Sequence, residues 1–232
     1  MLVLLTIAGT WAIRSSLVSL NITTNTQAQS LLMQNSDSVF FTLENQMDDA
    51  LAFANMRIGD GILAYVMRPE NKNKELVFCI RGTVANNFAG SRYGSVVYWQ
   101  GNTINNSEMG KNGFCKLTRS IDFLSKRAAV LTQVSIRAAP SAQDWEHIIS
   151  GDDKETSKRQ EIQKVIITAT SLLPNLSTSI ESKVESCLTN YTSFVDTTLP
   201  IANKTVTDCL AENGVPYSTQ DMEYTLRYVN AS

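Results

Sequence analysis

Residues 162–173, IQKVIITATSLL, decide how this 232-residue chain is read. The run is apolar and helix-like, but the β-branched Val165-Ile166-Ile167-Thr168 leaves a strand open. Downstream, Ile180, Val184, Cys187, Leu188, Tyr191, Phe194 and Val195 recur at helical spacing, between Pro174 and Pro200. Val206, Cys209 and Leu210 continue on a last helix that stops near Asn213-Gly214. Upstream, Ile121, Leu124, Ala128, Leu131 and Val134 form a second helical stripe. Residues 27–58 also read as helix, interrupted at Asn35-Ser36-Asp37-Ser38 and ended by Gly59-Asp60-Gly61. β-like runs are confined to the 60–117 region: Ile62–Met67, Leu76–Ile80, Ser95–Trp99 and the short Phe114–Leu117. The expected fold class is α+β, mostly helical, with a small antiparallel β-sheet in the 60–117 region and a C-terminal helical hairpin.

Composition narrows the class. Hydrophobic residues are 43% and charged residues 18%, below the usual ~25% of soluble domains. Ser plus Thr (45) and Asn (18) fill the difference. Such a chain can bury a core, and a net charge of -2 gives no global attraction to nucleic acid. No apolar run reaches the ~18 residues of a membrane span.

Residues 1–13, MLVLLTIAGTWAI, have the length of a signal-peptide h-region, although no Lys or Arg precedes them. A signal peptide over residues 1–12 is expected, with cleavage as late as residue 28. Residues 29–150 (helix, small sheet, helices) and the helical 151–232 then follow. Six N-x-S/T sites, Asn21, Asn105, Asn175, Asn190, Asn203 and Asn230, mildly exceed the roughly 3 to 4 that chance gives at this composition. Four cysteines with no C-x-x-C suit two disulfides in a secreted chain.

Cys187 and Cys209, 22 residues apart, would lie about 33 Å apart on one straight helix, beyond disulfide reach. A reversal near Thr197-Thr198-Leu199-Pro200 would bring them together, leaving Cys79 to pair with Cys115. Three connectivities are open to four cysteines. The segment Cys187-x3-Tyr191-x17-Cys209-Leu210 resembles a Cys–Tyr–Cys segment in a family of secreted insect proteins that includes tsetse EP-type proteins. The resemblance covers about 25 residues near the C-terminus, and the family has no assigned activity. It implies a secreted, helical, disulfide-bonded protein.

Catalytic motifs are sparse. The single histidine, His147, has no nucleophile motif to serve and reads as a side chain on a short amphipathic helix. Arg81-Gly82-Thr83 after an apolar strand looks like the strand end that helps build the oxyanion hole of class 3 lipases. The nucleophile elbow those enzymes need is missing, since Gly90-Ser91-Arg92-Tyr93-Gly94 misplaces its serine, so a strand-ending turn is the better reading. Gly59-Asp60-Gly61-Ile62-Leu63-Ala64 fits a relaxed dinucleotide fingerprint, but in the order helix then strand, the reverse of what phosphate binding needs. Asp48-Asp49 and Asp152-Asp153 read as solvated pairs. The basic cluster Lys154, Lys158, Arg159 and Lys164 reads as a solvated helix face. No cofactor or metal is expected, and no nucleic acid or stable membrane span. The expected protein is extracellular, a disulfide-bonded glycoprotein with a non-catalytic binding or structural role toward a protein or a small apolar ligand. The alternative is a secreted hydrolase using His147 or a carboxylate pair in a pocket.

Overall fold

A computed structural model describes residues 2–124, 129–139, 162–177, 179–197, 199 and 203–227, with the backbone alone for 2–24, 162 and 163. The first element, α1 (Leu2–Asp48), is one helix of 47 residues, about 70 Å at 1.5 Å per residue. The Asn35–Ser38 cluster, expected to interrupt it, does not. Asn35 donates to the Leu31 carbonyl and Ser38 to the Asn35 carbonyl, so these side chains bond back to their own helix. Ser36 faces the interior, fully buried, its Oγ 2.9 Å from Ser171 Oγ, which in turn lies 2.8 Å from Thr132 Oγ1.

α2 (Ala50–Arg57) starts on Asp49, whose carboxylate accepts the Leu51 and Ala52 amides at 2.9 Å each. Asp49, read as half of a solvated pair, is therefore a helix cap. The chain turns at Gly59, with φ at +56°, and enters α3 (Ile62–Val66). This stretch was expected to be a strand. Ile62, Leu63, Tyr65 and Val66 are all buried, and a short run that is apolar on every side looks the same in either conformation.

One antiparallel sheet contains β1 (Glu75–Cys79), β2 (Ser95–Gln100), β3 (Thr103–Asn105), β4 (Leu131–Ala138), β5 (Ile162–Leu172) and β6 (Tyr217–Arg227). Their spatial order is β3-β2-β1-β4-β5-β6. The expectation of a small sheet limited to 60–117 is thus corrected: half of the strands, and the longest ones, lie beyond it. Leu131 and Val134, read on a helical stripe, occupy β4 with side chains on opposite faces. IQKVIITATSL forms β5, its β-branched residues paired on both edges. Phe114–Leu117 is a loop.

The C-terminal helical hairpin is not formed. α4 (Glu181–Thr189) stops before Tyr191, Phe194 and Val195, α5 (Val206–Glu212) follows after an irregular crossing, and the chain then enters β6. Thr205 and Asp208 make a reciprocal cap that starts α5. β6, YSTQDMEYTLR, escapes a search for apolar runs because only its α1-facing side is apolar. Leu226 is buried there, and Tyr224 donates to Glu44 of α1 at 3.2 Å.

The sheet's two faces differ. Leu76, Phe78, Val134, Ile136, Val165, Ile167 and Ala169 form an apolar face, covered by Val39, Phe40 and Leu43 of α1 and by α3. The other face is divided. At one end Cys79, Leu131 and Leu172 pack under α4 and α5 with Val184, Leu188 and Leu210. At the other end the strands present Glu75, Ser135, Arg137, Thr168, Thr170 and Asp221.

Candidate functional site

The polar half of that face is crossed by three consecutive residues, each held by a different strand. Trp99 of β2 donates its indole N–H to Thr192 Oγ1 at 3.3 Å. Glu75 of β1 accepts the Ser193 amide at 2.8 Å and the Ser193 hydroxyl. Arg137 of β4 places its guanidinium 4.3 Å from the centre of the Phe194 ring. Strands β2, β1 and β4 are neighbours in that order, so residues 192–194 run across the sheet.

Glu75 is 1% exposed. It lines a cavity of about 10 Å³ with Gln133, Ser135, Thr170, Tyr191 and Ser193. That volume is room for about one water, not for a substrate. Burial pushes the Glu75 carboxyl above the usual glutamate range, and the hydrogen bonds from Ser193 and the charge of Arg137 only partly oppose it. Burial likewise lowers the Arg137 guanidinium, against the pull of Glu75 and Asp221. Thr168 donates to Asp221 beside them. A serine hydroxyl on a carboxylate could be a nucleophile and base, but here both are spent holding the crossing segment.

Two disulfides frame the region. Cys79–Cys115 ties β1 to the loop after β3, with Cα atoms 4.8 Å apart. Cys187–Cys209 ties α4 to α5, with Cα atoms 5.5 Å apart. Buried Gln133 of β4 joins the two, accepting the Cys115 amide at 3.1 Å and donating to the Leu188 carbonyl at 2.9 Å. Glu185 of α4 adds a contact to the Leu117 amide at 2.7 Å. No cysteine among the described residues is free.

The other residues singled out in the sequence are scattered. Arg81 leaves β1 and binds Asp122 at 2.7 Å through Nε and the Asn112 carbonyl through Nη2, so Arg81-Gly82-Thr83 fastens a loop. Gly59-Asp60-Gly61 joins two helices, not a helix and a strand. Lys164 sits in β5, paired with Glu223 at 3.0 Å. Asn175 and Asn190 are exposed, and Asn105 is half-buried at the end of β3. Asn203 is 9% exposed and donates to the Asp196 carbonyl, so a glycan there requires its side chain to turn outward. Asn21 lies on the backbone-only part of α1. Asn230, His147, Asp152-Asp153, Lys154, Lys158 and Arg159 fall outside the described residues. Glu75, Arg137 and Ser193 were missed by sequence reading. The signal available was a glutamate directly abutting the apolar run Leu76–Ile80.

A second concavity, of about 320 Å³, opens between α1 and the end of β5. Ala28, Leu31, Leu173 and Leu176 line it, with Asn175 at its edge. Among the described residues no group of side chains could hold a metal ion, and no helix is long and apolar enough to cross a membrane. Comparison with protein families, curated proteins and solved structures finds no match.

Proposed function

We propose that this chain is an extracellular disulfide-bonded glycoprotein with a non-catalytic binding or structural role. The observation that carries the reading is the pairing of all four cysteines across the covered end of the sheet. Reducing compartments keep such thiols free, whereas oxidising ones bridge them. Exposed Asn175 and Asn190 give glycans room without disturbing the core. The 320 Å³ apolar concavity beside α1 is within the size range of small-ligand pockets and suits an apolar ligand or a partner's side chain. The resemblance to the secreted insect family belongs to the same reading, with Tyr191 set between two cysteines that are bridged. The hydrolase alternative is disfavoured at Glu75, where the cavity admits no substrate.

The length of α1 favours a role in a larger assembly. Its described buried side chains run from Leu32 to Leu43, and its sheet contacts are to β5 and β6. An 11-residue strand spans about 37 Å, roughly half of α1's length. The sheet cannot cover the whole helix, and residues 1–13 are apolar. A partner subunit or a lipid surface could take up that part.

The test is expression in a eukaryotic secretory system. The reading expects the chain in the medium, with glycosidase-sensitive mobility. Retention in the cytosol as an unmodified chain would refute it.

A further inference from the structure

We propose that Glu75 is a proton-controlled clasp: it holds residues 192–194 across the sheet, and its ionisation releases them. The geometry is specific. Ser193 reaches Glu75 from 118 positions away with both its amide and its hydroxyl, and Ser135 adds a donor at 3.4 Å. The neighbours Thr192 and Phe194 are held by single side chains, Trp99 and Arg137. Every tie is therefore a side chain on the sheet, and loosening the central one frees a short segment. The Cys187–Cys209 bridge fixes the chain on both sides of it, so release is local. It would uncover Ser135, Thr168, Thr170 and Asp221, a strip of polar side chains.

The charged and titratable groups around Glu75 come from several elements. Arg137 projects from β4, Asp221 from β6, and Tyr191 from the chain just before the segment. Lys164 of β5 and Glu223 of β6 lie farther along the same face, paired with each other. Arg137 favours the charged carboxylate. Burial acts against it and is the larger effect, so closing the segment takes up a proton and raising the pH favours opening.

Trp99 supplies the probe, because its indole N–H bonds Thr192. We would follow the Trp99 indole and Ser193 amide resonances by NMR through a pH titration of the intact chain, assigning the indole with Trp99→Phe. The expected result is one shared transition above the ordinary carboxylate range, with faster intrinsic-rate-corrected exchange of the Ser193 amide on its alkaline side. Glu75→Gln should abolish the transition, and Asp221→Asn should leave it in place. Ser193→Ala, which keeps the carboxylate, should move the midpoint upward, since the lost hydroxyl bond favoured the charged form. Resonances that stay constant through the titration, or a transition that survives Glu75→Gln or vanishes in Asp221→Asn, would overturn the clasp.

Discussion

Asp122 is fully buried and accepts Arg81 Nε at 2.7 Å, Arg119 Nε at 2.8 Å and the Lys116 amide at 2.9 Å. It anchors the loop that carries Cys115. Removing it strands two arginines beside an apolar wall, and Asp122→Ala should cost about 3–5 kcal/mol in chemical denaturation. Glu75 makes a prediction of the opposite character. Its carboxyl is raised from the ordinary value of 4.5, so the native state keeps a proton that the unfolded chain has already lost. Its contribution is full below pH 4.5 and declines as pH rises through the native value, because unfolding there releases a proton. Glu75→Gln should remove that decline, and stability measured against pH should rise relative to the parent on the alkaline side. Neither residue stands out in the sequence. Asp122 lies in a stretch read as the start of a helix, and Glu75 sits between a polar turn and a strand. The partners that give them meaning are 41 and 118 positions away.

At the scale of elements, the seat of α1 on the sheet is the decisive contact. Leu43 is fully buried in the apolar face, and Leu43→Ala should cost about 2–5 kcal/mol. Ser36→Ala should cost only about 1 kcal/mol, since Ser171 and Thr132 remain bonded to each other. At Gly113 a Cβ would collide with the Ser95 amide and the Val77 carbonyl, so even alanine there should lower the melting temperature. Helices α1 and α2 were legible from their spacing and the turn at Gly59, and β1 and β2 from their β-branched and aromatic runs. β4, β5 and β6 were not. In β4 and β5 one face is apolar and the other carries Ser, Thr and Gln, which blurs the period of two. In β6 the apolar positions Met222, Tyr224 and Leu226 are interleaved with charge. α3 was misread because all its sides are covered. In each case burial by distant elements decided the conformation, and a window of ten residues does not contain that information.

For the whole molecule, two staples and one long helix set the behaviour. A chain lacking residues 1–24 keeps Leu32, Val39, Phe40 and Leu43, and its melting temperature should match the full chain's. If α1 serves an assembly, the shortened chain should lose that association while staying folded, which sedimentation would show. Each disulfide should contribute on the order of 2–4 kcal/mol, lost on reduction. The cysteine spacing alone left three connectivities, and the pairing it favoured rested on a helical hairpin. The bridged helices α4 and α5 meet instead across a crossing segment clasped by Glu75. The most direct measurement is a non-reducing peptide map of the chain recovered from the medium of eukaryotic cells. The account predicts two linked peptide pairs, Cys79 with Cys115 and Cys187 with Cys209, and no alkylatable thiol. Four free thiols, or a Cys79–Cys187 link, would contradict it.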